Sequence, residues 1–335
     1  KFGLWFEPEM TNKDSDLYRA HPDWILHTPG RNTSHGRYQY VLDFSRKEVV
    51  EYIYEMMAKI LSEAKVSYIK WDMNRSITEC YSVALPADRQ GEVFHRYILG
   101  VYDLYERLTS EFPEVLFESC SSGGGRFDPG MLYYAPQGWT SDDSDAIERL
   151  KIQYGTSLCY PISSMGSHVS VIPNHQVFRK TPLHTRANVA YFGTFGYELD
   201  LNSLKEEEIA EVKEQIIFMK KYRKLFQFGD FYRLKSPFEG NETIWMVVSE
   251  DKKTAIVGYY RTLNGVNQAY SRIKLQGLDP DMLYENILNK TENYGDELMN
   301  FGLITTDVTA GEVPGDATPC TDFESRIYIL KAKEK

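Results

Sequence analysis

Two carboxylate clusters are the residues best suited to chemistry in this chain. The segment YIKWDMNR (68–75) ends an apolar, β-branched run on a single carboxylate, Asp72. Seventy positions later, WTSDDSD presents Asp142, Asp143 and Asp145 at the start of an expected helix. Hydrolysis of an acetal takes two carboxyl groups on opposite sides of one bond, a nucleophile or base and an acid. Parallel α/β barrels build their sites at the C-terminal ends of strands, where Asp72 falls. Lys70 lies two residues earlier and so on the same side of the strand. A cation there would keep Asp72 ionised and hydrogen-bond a hydroxyl; equally, Lys70 and Asp72 would form a structural ion pair lining the barrel. Three acids at a helix start also serve as caps and dipole partners, and Asp145, three residues before Glu148, suits that role. Asp142 is nearer the expected strand end, and a second carboxyl beside it favours retaining one proton, as an acid catalyst requires. Spacing alone favours Asp142 over Asp143 without deciding between them.

Other single residues carry two readings each. CSSGGG (120–125) is either a tight turn after a strand or a place where backbone closely approaches a small polar ligand. It has neither the GK[ST] of a P-loop, nor G-x-G-x-x-G, nor the G-x-S-x-G elbow of a serine nucleophile. Trp5 is a core residue or a sugar platform. Arg37, in SHGRYQY, pairs with an acid or binds a hydroxyl. His168, in MGSHVS, reads as a satisfied loop or core histidine, and no H-x-x-x-H spacing supports a metal.

The elements that must position these residues follow from periodicity. Phe2–Glu7 reads as a strand, and Ser45 with Glu48 as a capping box for a helix to about Ala64, with Val49, Ile53, Met56 and Ile60 on its apolar face. Val66–Met73 is the next strand. A helix over about 92–111 presents Phe94, Ile98, Val101, Tyr105 and Leu108, and Val115–Ser119 is a strand running into the glycines. Gly138–Ser141, Cys159–Ser164 and Phe195–Leu199 are further strand candidates, with helices over about 145–154 and 206–225. This alternation implies an α/β region with parallel strands over 1–228. From about Gly229 the texture changes to short alternating runs between Gly, Asn and Asp turns, which implies an antiparallel β-sandwich over 229–335. About six strands precede that tail, whereas a closed (β/α)₈ barrel needs eight. The expectation is therefore a (β/α)₈ TIM-type barrel with its first two strands missing on the N-terminal side. The opening KFGLWFEPEM, a strand under way without Met, fits a missing natural start and is no signal peptide.

Composition limits the alternatives. A formal net charge of −10 argues against a nucleic-acid partner. No apolar run is long enough to span a membrane. Four widely spaced cysteines (Cys80, Cys120, Cys159, Cys320) without CxxC argue against a zinc site or disulfide scaffold and imply reduced thiols, hence a cytoplasmic protein.

The motifs GLWFEPEM, YIKWDMNR, ESCSSGGGRFDPG, WTSDDSDAIERLKIQYGTS, SSMGSHVS and DFESRIYIL occur in the order seen in glycoside hydrolase family 36. The chain resembles, over essentially its whole length, retaining α-galactosidases of the bacterial raffinose and melibiose type. That resemblance implies a barrel followed by a β-sandwich, no metal or organic cofactor, and removal of terminal α-linked galactose from small oligosaccharides (melibiose, raffinose, stachyose) by double displacement. Carried over by residue, it implies that Asp72 is the nucleophile and Asp142 the acid/base. Lys70, Trp5, Arg37, Cys120 and the position of Ser122 would line the sugar subsite. Many members have glycine where this chain has Ser122, so that contact and strict specificity around C2 are less securely implied. The family also carries a β-sandwich domain ahead of the barrel and an Asp-Asp pair that binds galactose O4 and O6; neither precedes Trp5 here. Related activities on N-acetylgalactosamine, galactosyl transfer, or an inactive fragment are the competing expectations. The resemblance further suggests a homo-oligomer.

Overall fold

A computed structural model describes residues 1–266, 271–305 and 322–333; Cys320 lies outside them. Internal contacts divide the chain into two compact units, Lys1–Asp142 and Asp143–Lys335.

The first unit is built on a four-stranded parallel sheet in the order Phe2–Phe6, Val66–Trp71, Leu116–Ser119, Gln137–Gly138. The helices Lys47–Glu63 and Val93–Glu111 make the crossovers that parallel pairing requires. The register aligns Trp5 with Lys70, Lys70 with Glu118, and Glu118 with Gln137. Side chains alternate along each strand, so this row shares one face. On the opposite face Ile69 and Trp71 are fully buried, and Trp71 stacks on Tyr105 of the second helix with ring centroids 4.0 Å apart. Asp72 is one step beyond its strand, and its N–H still donates to Phe6 O at 2.8 Å.

Both helices bury part of the expected face, Val49 and Ile53 in the first and Val101, Tyr105 and Leu108 in the second, and depart from it elsewhere. Lys47–Glu63 buries Val49, Val50, Ile53, Met57 and Leu61, while Met56 and Ile60 are exposed. A stripe of four-residue steps from Ile53 keeps one line against the sheet. Val93–Glu111 buries Val93 and Tyr97 and leaves Phe94 exposed. The expected capping box is absent. Arg46 is the N-cap without a side-chain cap bond, and Glu48 accepts from Arg46 Nε at 2.8 Å. The Ser45 hydroxyl instead donates to Asp43, a fully buried carboxylate whose need for donors is greater than that of an exposed helix end.

In the second unit, Gly166–Ser170 and Thr194–Glu198 form a parallel pair. The expected strand over 159–164 is instead a turn and one 3₁₀ turn, Ile162–Ser164. His168 is on the strand that follows, with Nδ1 3.5 Å from Glu198. Helices Ala146–Thr156, Leu183–Ala190 and Glu206–Phe228 accompany the pair. After Gly229 comes a six-stranded antiparallel sheet in the order Glu292–Tyr294, Leu283–Asn286, Glu324–Ala332, Thr254–Arg261, Glu242–Val248, Asp230–Lys235. Its core side (Met246, Val257, Tyr259, Tyr328) packs with Ile273, Leu298 and Leu303. Those three come from the ribbon Arg272–Ile273/Leu303–Ile304 and the helix Gly295–Asn300. Among the described residues the second layer is thus a ribbon and a helix, thinner than a full second sheet.

Candidate active site

Asp72 is 6% exposed and surrounded by donors. Trp5 Nε1 donates to Oδ2 at 3.2 Å, Asn74 Nδ2 to Oδ2 at 2.7 Å, and the Met73 N–H to Oδ1 at 2.8 Å. The Cys120 thiol is a fourth partner. Burial by itself would raise the Asp72 pKa, but the hydrogen bonds from Cys120, Asn74, Trp5 and Met73 outweigh it and leave it below the usual carboxylate value. The reciprocal effect falls on Cys120: burial, then the bond to Asp72, pushes its thiol up to about 12. At neutral pH the thiol is therefore a fixed donor to a carboxylate, and Cys120 is no nucleophile.

Lys70 has a partner that the sequence did not suggest. Its ion pair is with Glu118, Nζ to Oε1 at 3.4 Å, because register places Glu118 directly across on the neighbouring strand. The ammonium also lies 4.8 Å from the centre of the Trp139 ring. The largest influences favouring ionised Asp72 are the neutral donors Cys120, Asn74, Trp5 and Met73, and the Lys70–Glu118 pair left no sign in the sequence.

Asp142 is exposed at the end of the fourth strand's loop and accepts from Trp139 Nε1 at 3.1 Å. The glycine turn sets the course of this loop. A Cβ at Gly123 would meet Ser141 Cα at 2.7 Å and the Asp142 nitrogen at 2.8 Å, and one at Gly124 would meet Thr140 O at 2.4 Å. The turn is thus a close backbone approach, but to the Asp142 loop. Ser122, next to it, is exposed and left-handed at φ 47°. Asp145 is the helix cap expected of it, accepting from the Ile147 and Glu148 N–H groups at 3.0 and 3.1 Å.

Strand order brings Trp5, Lys70, Asp72, Cys120 and the Asp142 loop to one end of one sheet. Arg37 is exposed at φ 53° and makes no hydrogen bond or ion pair to another described residue. Sequence reasoning missed Asn74, Trp139 and Glu118. It also missed Glu9, which is fully buried and accepts two bonds from Arg126 at 2.9 and 2.8 Å and one from Trp71 Nε1 at 2.8 Å. Arg126 directly follows the glycines, so this buried pair ties the turn to the first strand's end. Asn74 was legible as a polar side chain beside a candidate carboxylate. Glu9 and Arg126 are 117 positions apart and gave no local signal.

The Melibiase family model matches residues 1–229, and the glycosyl hydrolase family 36 C-terminal domain model matches 242–330. The chain belongs to the Melibiase family. The α-galactosidase AgaA of Geobacillus stearothermophilus is 57% identical over 337 residues, spanning 100% of this chain and 44% of that protein. Mel36A of Lactobacillus acidophilus, another α-galactosidase, is 49% identical over 99% of this chain and 44% of its own length. A crystal structure of an AgaA variant in complex with raffinose superposes with a TM-score of 0.93 at 53% identity, covering 99% of this chain and 45% of that one. The Lactobacillus brevis α-galactosidase gives 0.95 at 51%, over 100% of this chain and 45% of that one. This chain therefore spans under half the length of these relatives. In this family's fold, the six parallel strands described here belong to an incomplete (β/α)₈ barrel, and the antiparallel sheet is its C-terminal domain.

Proposed function

We propose that this chain carries the catalytic pair of a retaining glycosidase that releases terminal α-linked galactose from small oligosaccharides. The observation that carries this reading is Asp72: a carboxylate at a parallel strand's C-terminal end, buried yet held ionised by Trp5, Asn74, Met73 and Cys120. Such a group is an aimed nucleophile. Asp72 attacks the anomeric carbon while Asp142 protonates the leaving oxygen; Asp142 then takes a proton from the water that hydrolyses the galactosyl ester. The Asp72 and Trp139 strands are separated by one strand, so their backbones lie roughly 10 Å apart. Two inward-reaching side chains can narrow that to the about 5–5.5 Å a retaining pair uses. Trp5, Lys70, Arg37, Cys120 and Ser122 are proposed to line the sugar subsite, with residues 1–228 forming the barrel part and 229–335 the sheet domain. The relatives' names and the raffinose complex support the galactoside and its size.

The test is hydrolysis of 4-nitrophenyl α-galactoside followed by proton NMR. The α-anomer of galactose should appear first. No turnover by the purified protein, or the β-anomer first, overturns the proposal.

A further inference from the structure

The row of side chains beneath Asp72 contains a second buried carboxylate that the proposed reaction does not use. Glu118 is 2% exposed. Its Oε2 accepts from the Tyr68 hydroxyl and from Gln137 Nε2, the latter at 3.1 Å. Its Oε1 is buried and accepts no hydrogen bond among the described residues, and the nearest cation is Lys70 Nζ at 3.4 Å. A buried carboxylate left half-satisfied is costly unless a charge faces it. Tyr68 and Gln137 hold Glu118 from one side, so the carboxylate is fixed and the lysine comes to it. The same ammonium lies over Trp139, and the Trp139 indole N–H is the donor to Asp142. These contacts form one line: fixed carboxylate, ammonium, indole, acid/base.

We infer that Glu118 is a positioning residue for the reaction: it anchors the Lys70 ammonium under Trp139 and thereby sets the indole that holds Asp142. Without the anchor, the ammonium is free to move up the same strand face toward Asp72, two residues on. Such a move would place a full positive charge beside the nucleophile and take support from the indole. Glu118 therefore acts through Lys70, and the inference rests on the proposed function only for its kinetic readout.

The experiment is a double-mutant cycle in the protein, with Glu118→Gln, Lys70→Met and the pair, reading kcat and KM on 4-nitrophenyl α-galactoside. Glu118→Gln should lower kcat by about 10–100-fold, as for a misplacement near 1 Å. The double variant should be no slower than Lys70→Met within about twofold. Multiplication of the two single losses would overturn the inference, because Glu118 would then act independently of Lys70. The pH–kcat profile should also shift in Glu118→Gln, as a merely structural loss would not cause. Should Glu118→Gln not fold, Glu118→Asp carries the same cycle. A second arm needs no turnover: acylation of Lys70 by acetic anhydride, mapped by peptide mass. It should run roughly fivefold or more faster in the Glu118 variant, since the carboxylate stabilises the unreactive ammonium. Equal rates would overturn the inference, whereas an inactive wild type with faster acylation would count against the proposed function alone.

Discussion

Gly123→Ala separates the geometry of the Asp142 loop from the stability of the fold. The new methyl would lie 2.7 Å from Ser141 Cα and 2.8 Å from the Asp142 nitrogen, against 3.4 Å for the near edge of ordinary contact. Both neighbours are backbone, so no side chain can swing aside, and the 141–142 segment must retreat by roughly 0.7 Å. The residue is also at φ +82°, where an L side chain costs about 1–2 kcal/mol. Misplacement of a reacting group by 1 Å costs on the order of 100-fold, so a loss of about 10–100-fold in kcat is expected, with KM changed much less. Gly30→Ala is the control: φ is +77°, and no atom lies within 4 Å of its Cβ position. It bears the same backbone penalty without the collision and should keep full activity. The assay is kcat on 4-nitrophenyl α-galactoside beside the thermal midpoint of each variant. Folded Gly123→Ala with kcat within about twofold of wild type, or equal losses in both variants, would refute the claim that the turn sets the Asp142 loop.

Three further outcomes follow from the same geometry. Asp142→Asn removes a general acid worth roughly 10²–10⁴-fold, so turnover of raffinose should fall far more than that of an aryl galactoside, whose leaving group needs no proton. Steady-state rates on the two substrates check this. Asn74→Ala removes a donor that favours ionised Asp72, so the Asp72 pKa should rise and the acid limb of kcat/KM move to higher pH; an unmoved limb in a pH–rate profile would exclude that role. Arg126→Met leaves Glu9 buried without its cation and should cost about 3–5 kcal/mol, read from the urea midpoint of unfolding.

What the sequence disclosed was what is local. Val66–Trp71 announced itself as a strand by its apolar, β-branched run, and Asp72 as the polar end of it. The strand Gly166–Ser170 was hidden because GSHVS is small and polar, without the alternation of a half-buried strand. The helix Leu183–Ala190 was hidden because it buries Thr185 and Arg186 along with Leu183 and Ala187, which erases the apolar stripe. The site divided the same way. Trp5, Lys70, Cys120 and the two aspartates were legible as residue types inside motifs. Contacts between residues distant in sequence were not, because Glu118 reaches Lys70 only through strand register, and Glu9 reaches Arg126 only through the closed fold. That is why Lys70 was read only beside Asp72, its neighbour in sequence, while its pair with Glu118 went unread.

The most direct test of the account is to trap the galactosyl ester. A 5-fluoro-galactosyl fluoride forms the intermediate quickly and releases it slowly, and peptide mass mapping locates the sugar. The account predicts one galactosyl group on Asp72, within residues 68–75, and its accumulation in Asp142→Asn with an activated substrate. A sugar carried by any other residue, or stoichiometric turnover with no covalent species, would contradict it.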